Sequence, residues 1–425
     1  MPNILALILA AGRVDELSLL TLDRPKSAVP FGGLYRVIDF ALSNLMQSRI
    51  GRVGILSQYQ STSLLTHIGT GESWDMNGRH RKVTLLPPSS GGKGCEWYRG
   101  TADAVAQNME FIVEDEPDLV LILSGDHIYH MDYQELIHFH LAQKADLTVG
   151  FVNVPLKEAP RFGLGLIEKK GSPTGGRLLE YREKPAQPIS SWASLTIYLF
   201  RPQVLFEVLK SPETGSPPLE FGRDILADMV HRYRVFGYRF KGYWGYTRTL
   251  EEYWQTHMDL LVPRPKIRLP EWEIRTNLEH ERIAERQPVR VGPRARLTQV
   301  LLTPGCEVEG RVRRSVLFPG VVIEEGAVVE DSILLYDTRV GAGACLKRVI
   351  TDKRVTIGEG SRVGGEDLFD PLRSRPGPPA AGLTLIGHNT HVPPRTVIGS
   401  NCLLYPHLDR QAFPSDRLPS GEILR

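Results

Sequence analysis

Apolar and polar positions along this chain follow two different rhythms, and the change of rhythm marks its organisation. Up to about Leu261, short apolar runs at Ile4–Leu9, Arg52–Ser57, Leu119–Leu123, Leu147–Val154 and Leu195–Phe200 read as strands. Segments of helical period, among them Arg36–Gln47 and Ala102–Glu114, lie between them. Strands alternating with helices predict a doubly wound α/β sheet over residues 1–262. The run Leu119–Leu123 has no alternation, so it is expected to be a parallel strand buried on both faces. Prolines from Val262 to Pro270 announce a linker over residues 263–290.

From residue 291 to 425 the helical period is gone. Apolar beats recur about every five or six residues between Gly and Asp/Glu turns, as in Val322–Val328, Ile357–Val363 and Val397–Leu403. A parallel β-helix built on hexapeptide-like turns explains that period, with an irregular antiparallel β domain as the alternative. Glu366–Gly382, rich in Pro, Gly and charge, reads as an insertion looped out on one face.

A chain of 425 residues provides for two or three domains with ample core. Lys and Arg number 51 against 49 Asp and Glu, a balance that argues against coating a polyanion. Nucleic acid is therefore not an expected partner, whereas small molecules and other subunits are. Cys95, Cys306, Cys345 and Cys402 lie far apart without a Cys-x-x-Cys, which suggests neither a zinc site nor a disulfide framework and fits a cytoplasmic setting. Met1–Gly12 is apolar but lacks a basic leading region, so it reads as a first strand and not a signal peptide. No run approaches the roughly 20 apolar residues of a membrane span, so no membrane partner is expected.

The candidate chemistry begins at Asp126, just past the carboxyl end of the Leu119–Leu123 strand. Open α/β sheets bind ligands at that edge, where a carboxylate can hold a divalent cation against phosphates or simply cap a turn. Taken singly, Lys26 is a phosphate ligand or a solvated lysine, and Glu183–Pro185 is a binding element or a strand-end turn. His138 and His140 are two apart on a predicted helix, which puts them on different faces and disfavours a chelating pair.

An ordered set of longer motifs adds to these readings: Lys26–Gly33, Tyr35–Asn44, Trp97–Ala104, Ser124–Tyr129, Glu183–Pro185 and Phe221–Asp224. Through them the chain resembles the ADP-glucose pyrophosphorylases, the glucose-1-phosphate adenylyltransferases of glycogen and starch synthesis, from near Ile4 to the last β-helix turns. The resemblance implies a Rossmann-like nucleotidyltransferase domain followed by a left-handed parallel β-helix. It also implies a Mg²⁺-dependent transfer in which the phosphate of glucose 1-phosphate attacks the α-phosphate of ATP, giving ADP-glucose and pyrophosphate. Carried over position by position, Asp126 ligates the metal and Lys26 meets the triphosphate. Ala10, Ala11, Gly12, Gly100 and Asp103 lie against the nucleotide, and Tyr98, Gly165, Glu183, Lys184, Ser194 and Asp224 against the sugar phosphate. Such a reaction asks for positioning and charge neutralisation, because the nucleophile arrives already ionised.

Departures from the pattern fall on the phosphate chemistry. The family's first loop, Gly-Gly-x-Gly-Ser/Thr-Arg-Leu-x-Pro-Leu-Thr, reads here as Ala11–Thr21, with Leu17, Leu20 and Thr21 holding the register. Val14 then stands where Gly lets the backbone approach phosphate, and Glu16 stands where the family has its catalytic Arg. The family's Tyr-Trp-Arg-Asp-Val-Gly-Thr, which carries a second metal-binding Asp, aligns with Tyr243–Thr249 and puts Tyr246 at the Asp position. Ser89–Gly92 replaces a Gln-bearing loop that meets adenine, and Leu34 replaces the Lys of the usual activator site. The expectation is a weakly active or non-catalytic regulatory subunit that keeps sugar or nucleotide binding. It would form a homo- or hetero-tetramer with a catalytic relative, open to a sugar-phosphate effector. Two alternatives stand beside it: an active adenylyltransferase in which Arg13, Arg24 or Arg248 supplies the missing charge, and a related enzyme for another nucleotide or sugar.

Overall fold

A computed structural model describes residues 2–12, 15–88, 97–168, 172–210, 219–365 and 382–425. The chain folds as two compact units, one comprising Met1–Gly12, Ile38–Ser61 and Ile68–Trp244, the other Arg13–Val37, Thr62–His67 and Gly245–Arg425.

The first unit is organised by a ten-stranded sheet. Its strands are β1 (Ile4–Leu9), β2 (Arg52–Leu56), β3 (Asn77–Gly78), β4 (Arg81–Leu86), β5 (Leu119–Ser124), β6 (Leu147–Asn153), β7 (Leu164–Ile167), β8 (Gly175–Arg182), β9 (Trp192–Phe200) and β10 (Val235–Phe240). Their order across the sheet is β7-β8-β10-β6-β9-β5-β1-β2-β4-β3. Strands β5, β1, β2 and β4 run parallel, and Leu5, Leu7, Val120 and Ile122 are fully buried because helices and further strands cover the sheet. Truncating one of these leucines to Ala would cost about 2–5 kcal/mol.

The wound sheet is mixed: β9 lies antiparallel to both β5 and β6, and the β7–β8, β8–β10 and β3–β4 pairs are antiparallel too. Leu119–Leu123 is therefore buried as expected but has a parallel neighbour on one side only. The helix expected from Arg36 starts at Ile38, because Tyr35–Arg36 is drawn into a short antiparallel ladder with Pro30–Phe31. The segment Ala102–Glu114 is two helices, Thr101–Ala106 and Met109–Asp115. Asn108 separates them: its amide donates to the Ala104 carbonyl at 2.9 Å and competes with the helical ladder. On the helix Tyr133–Ala142, His138 is exposed while His140 is buried against Thr148 at 2.8 Å, and burial lowers its pKa to about 4.

The second unit contains a parallel β-helix. Arg290–Val291, Glu307–Val308, Val322–Ile323, Arg339–Val340, Thr356–Ile357 and His391–Val392 stack in register as one ladder, every pairing parallel. After the exposed first rung, each two-residue rung turns one side chain inward, so Val308, Ile323, Val340, Ile357 and Val392 form a continuous apolar column. A second parallel sheet begins with Arg296–Leu302 and Arg311–Leu317. The insertion expected at Glu366–Gly382 lies almost wholly outside the described residues. Among the described residues, no helix is long and apolar enough to cross a membrane.

Candidate active site

In the first unit, the carboxyl edge of the sheet brings the end of β1 and the turn into Asp126 together. Leu9 and Ser124 are register partners at the ends of β1 and β5, and the Gly125 amide donates to the Leu9 carbonyl at 3.0 Å. Ala10 is buried and its amide donates to the Leu56 carbonyl at 2.9 Å, which directs Ala11 and Gly12 out past the edge. A Cβ on Gly125 would come within 2.8 Å of Ile8, so the turn into Asp126 is tight. The Asp126 carboxylate accepts from the Ser124 hydroxyl and lies 3.3 Å from His127 Nε2.

The Trp97–Ala104 motif forms the start of a helix. Its Asp103 accepts from the Arg99 amide at 2.9 Å, the Arg99 guanidinium at 2.6 Å and Gln107 at 2.9 Å. Burial opposes its charge, but these Arg99 contacts outweigh it and hold the carboxyl below its ordinary range. At Gly100 a Cβ would sit 2.3 Å from the Leu219 carbonyl, so only glycine allows this approach. Tyr98 is buried, its phenol donating to the Leu86 carbonyl at 2.9 Å and accepting from Asn108 at 2.9 Å.

Glu183 follows β8, where alternation turns Tyr181 inward and Arg182 outward. The Tyr181 phenol donates to Glu183 Oε2 at 2.9 Å, while Lys184 Nζ lies 3.9 Å from Oε1. Lys184 adopts φ +43°, and its amide donates to the Phe162 carbonyl at 3.2 Å. The Ser194 amide donates to the Gly163 carbonyl at 2.8 Å, which ties β9 beside the same turn. Gly165 lies opposite Tyr181 in the β7–β8 ladder, and Phe151 packs where its Cβ would be. Asp224 is tied into its own turn. It accepts from the Leu219 and Glu220 amides at 2.9 Å and from Arg223 at 2.7 Å, which draws its pKa down to about 2. Its carboxylate organises its own turn.

In the second unit the phosphate-side positions form a single network. Arg248 precedes the helix Leu250–Met258, whose Thr249–Glu252 capping box fixes the chain there, and the Arg248 amide also donates to Glu252 at 3.1 Å. From that position the Arg248 guanidinium donates to Glu16 Oε1 at 3.0 Å, and the nearby Tyr246 phenol is the first cause of its raised pKa. Partial burial raises the Glu16 pKa, but a backbone hydrogen bond and the Arg248 charge more than offset it, so the carboxylate stays ionised. Lys26 is buried on a short 3-10 turn, its ammonium 4.9 Å from the centroid of the Tyr246 ring. Arg24 is engaged elsewhere, donating to both Asp352 oxygens at 2.8 and 2.6 Å in a buried pair.

Of the three arginines that could have replaced the missing cation, Arg24 and Arg248 are thus paired with carboxylates, and Arg13 lies outside the described residues, as do Val14 and Ser89–Gly92. Leu34, where the resemblance expects a lysine, lines a cavity of about 600 Å³ with Leu260, Ile267 and Leu301, and Arg264, Arg268 and Glu271 line it too. The resemblance expects two carboxylates for a divalent cation. Asp126 supplies one carboxylate, the second expected position is the phenol of Tyr246, and no group of three or more His, Cys, Asp or Glu gathers among the described residues. Sequence reasoning missed Tyr181, whose signal is the inward beat of β8 two residues before Glu183. It also missed the pairing of Arg248 with Glu16, which nothing in local spacing reveals.

Comparisons with known proteins agree with this layout. A family model described as nucleotidyl transferase matches residues 5–262, and one described as GlmU-like, C-terminal hexapeptide, matches residues 287–375. A glucose-1-phosphate adenylyltransferase of Thermomicrobium roseum is 42% identical over 99% of this chain and 97% of its own length. Proteins of the same description from Thermotoga neapolitana and Acetivibrio thermocellus are 39% and 37% identical, covering 100% and 99% of the chain and 99% and 97% of their own lengths.

Proposed function

Because the chain belongs to the glucose-1-phosphate adenylyltransferase family, we propose that it is a sugar-binding, regulatory-type member whose own turnover is slow. One observation carries this reading: Glu16, Arg248, Tyr246 and Lys26 engage one another. The two substitutions do more than delete a cation and a carboxylate. Glu16 neutralises Arg248, the nearest replacement cation, and Tyr246 holds Lys26 over its ring. Transfer of an adenylyl group needs charge aimed at the developing pyrophosphate, and a cation already paired internally must first lose that partner. Removing one such electrostatic group costs about 10²–10³ in rate, and two acting on the same phosphates need not multiply.

Glucose 1-phosphate and ADP-glucose are the ligands this reading assigns to Glu183, Lys184 and Ser194, with the ribose and base near Gly12, Gly100 and Asp103. No step is assigned to Mg²⁺. The partner is a catalytic relative, in a tetramer that assembles through both halves of the chain. Active catalysis is the second reading, favoured by Lys26 and Asp126, which keep their family positions.

The deciding experiment is pyrophosphate release from ATP and glucose 1-phosphate by the purified full-length chain, run beside a catalytic relative. A rate at least about 10²-fold below the relative is expected. Equal turnover overturns the proposal in favour of the second reading. Co-expression should give a mixed complex with an altered effector response, and a strict monomer by light scattering counts against the regulatory role.

A further inference from the structure

Glu183 has a neighbour that neither the family pattern nor the assigned ligands account for. Tyr181 is 4% exposed, two residues upstream on the inward face of β8. Its phenol donates to Glu183 Oε2 at 2.9 Å. The space around this contact is closed on both sides by bare backbone. A Cβ on Gly163 would come 1.9 Å from the phenol oxygen and 2.7 Å from Glu183 Oε2. A Cβ on Gly222 would come 2.3 Å from the same carboxylate oxygen.

We infer that Tyr181 is a positioning residue that orients the Glu183 carboxylate toward the hydroxyls of a hexose phosphate, with Gly163 and Gly222 leaving the room it needs. The inference rests on the assignment of Glu183 to the sugar. A carboxylate on a strand end can swing about its terminal torsions, and it recognises a sugar only if its lone pairs are held in place before the ligand arrives. Tyr181 fixes Oε2 by donating one hydrogen bond, and because the phenol is neutral the negative charge remains for the ligand. Oε1 is left on the side of Lys184, 3.9 Å away, where hydroxyl donors and a phosphate can be met together. Burial and the neighbouring carboxylate keep the phenol protonated well above neutral pH, so it stays a donor across the working range.

The test is calorimetric titration of the full-length chain with glucose 1-phosphate and with ADP-glucose. Tyr181→Phe should weaken both about tenfold, the size of one hydrogen bond to a charged group. In a Glu183→Gln background the same change should have little further effect, because Tyr181 acts through the carboxylate, whereas a packing role would give additive losses. If Tyr181→Phe binds both ligands as the unaltered chain does, or if the losses add, the positioning role is overturned while the sugar assignment stands. If the unaltered chain binds neither ligand, both fall. Should Tyr181→Phe fail to fold, Gly222→Ala reads the same geometry from the other side. It should weaken binding about tenfold by pressing on Oε2, and unchanged affinity overturns the inference.

Discussion

The two units hold the charged groups expected to meet ligands in opposite ways. In the first unit, Glu183 leans on the neutral phenol of Tyr181, with Lys184 standing 3.9 Å from its other oxygen. In the second, Arg248 meets Glu16, Arg24 meets Asp352 and Lys26 lies over the ring of Tyr246. A neutral hydrogen-bond partner orients a charge without cancelling it, while an opposite charge cancels the field a ligand would feel. Retaining a residue type is therefore not the same as retaining its availability. Lys26 is present on the phosphate side, and its surroundings still differ from those of a cation aimed at a triphosphate. Asp224 and Asp103 are exceptions in the first unit, since Arg223 with two backbone amides holds the one and Arg99 the other.

The largest expected effect tests whether Arg24 is structural or available to ligands. The Asp352 side chain is fully buried and the Arg24 side chain is 7% exposed, so Asp352→Asn should cost about 3–5 kcal/mol in denaturant unfolding at neutral pH. The sign of the pH dependence follows from Asp352. Burial raises its pKa, but the Arg24 charge outweighs this and holds it below the unfolded value. Its contribution is complete above the unfolded pKa of about 3.9 and drains away as pH falls below it. The stability gap between the variant and the parent chain should therefore begin to narrow below about pH 3.9 and close only as pH falls through the much lower folded value. A variant as stable as the parent at pH 7 would mean Arg24 is free enough to serve the nucleotide, and the contrast between the halves would weaken.

Restoration is the next largest effect. Glu16→Arg with Tyr246→Asp returns the family charges, but Arg248 would then face the new carboxylate and the new guanidinium at once. Adding Arg248→Gly, the family's residue there, should give the best recovery. Adenylyl transfer should rise about 10²–10³-fold in the triple variant and much less in any single one. Additive small gains would show that the network is not the cause of slow turnover.

Binding should divide along the same line. Calorimetry should find that glucose 1-phosphate or ADP-glucose binds at least about tenfold tighter than Mg²⁺-ATP, because internal pairing must be broken for the triphosphate alone. Micromolar Mg²⁺-ATP binding with none of glucose 1-phosphate would reverse the assignment of the halves.

The sequence carries the fold where periodicity is strong. Leu119–Leu123 reads as a buried strand because nothing in it alternates, and Val322–Val328 reads as β-helix because its apolar beats repeat. Strand direction was hidden, since the antiparallel placement of Trp192–Phe200 depends on connections that no local window contains. The break at Asn108 was hidden too, because it turns on one side chain competing for one carbonyl. At the site, Glu16 and Tyr246 stand out in the sequence as substitutions. That Arg248 joins them is not legible, because residues 16 and 248 meet only in the folded chain. Sequence shows which charges exist, and folding decides which of them cancel.

The smallest expected effect separates a chemical role for Glu16 from a structural one. Its ion pair with Arg248 is half exposed, with side chains 42% and 39% accessible, so water and salt screen the attraction. Glu16→Gln should therefore change unfolding stability by less than about 1 kcal/mol. The helix that follows Arg248 keeps its Thr249–Glu252 capping box, which does not involve Glu16, so the local fold has its own support. The same variant should nevertheless strengthen Mg²⁺-ATP binding severalfold, and more at low salt than at high, because it returns the Arg248 charge to the phosphate side. A loss of more than about 2 kcal/mol, without any gain in nucleotide affinity, would make the pair a structural clamp. The slow turnover would then have to arise from Tyr246 alone, and Tyr246→Asp by itself should restore as much activity as the triple variant.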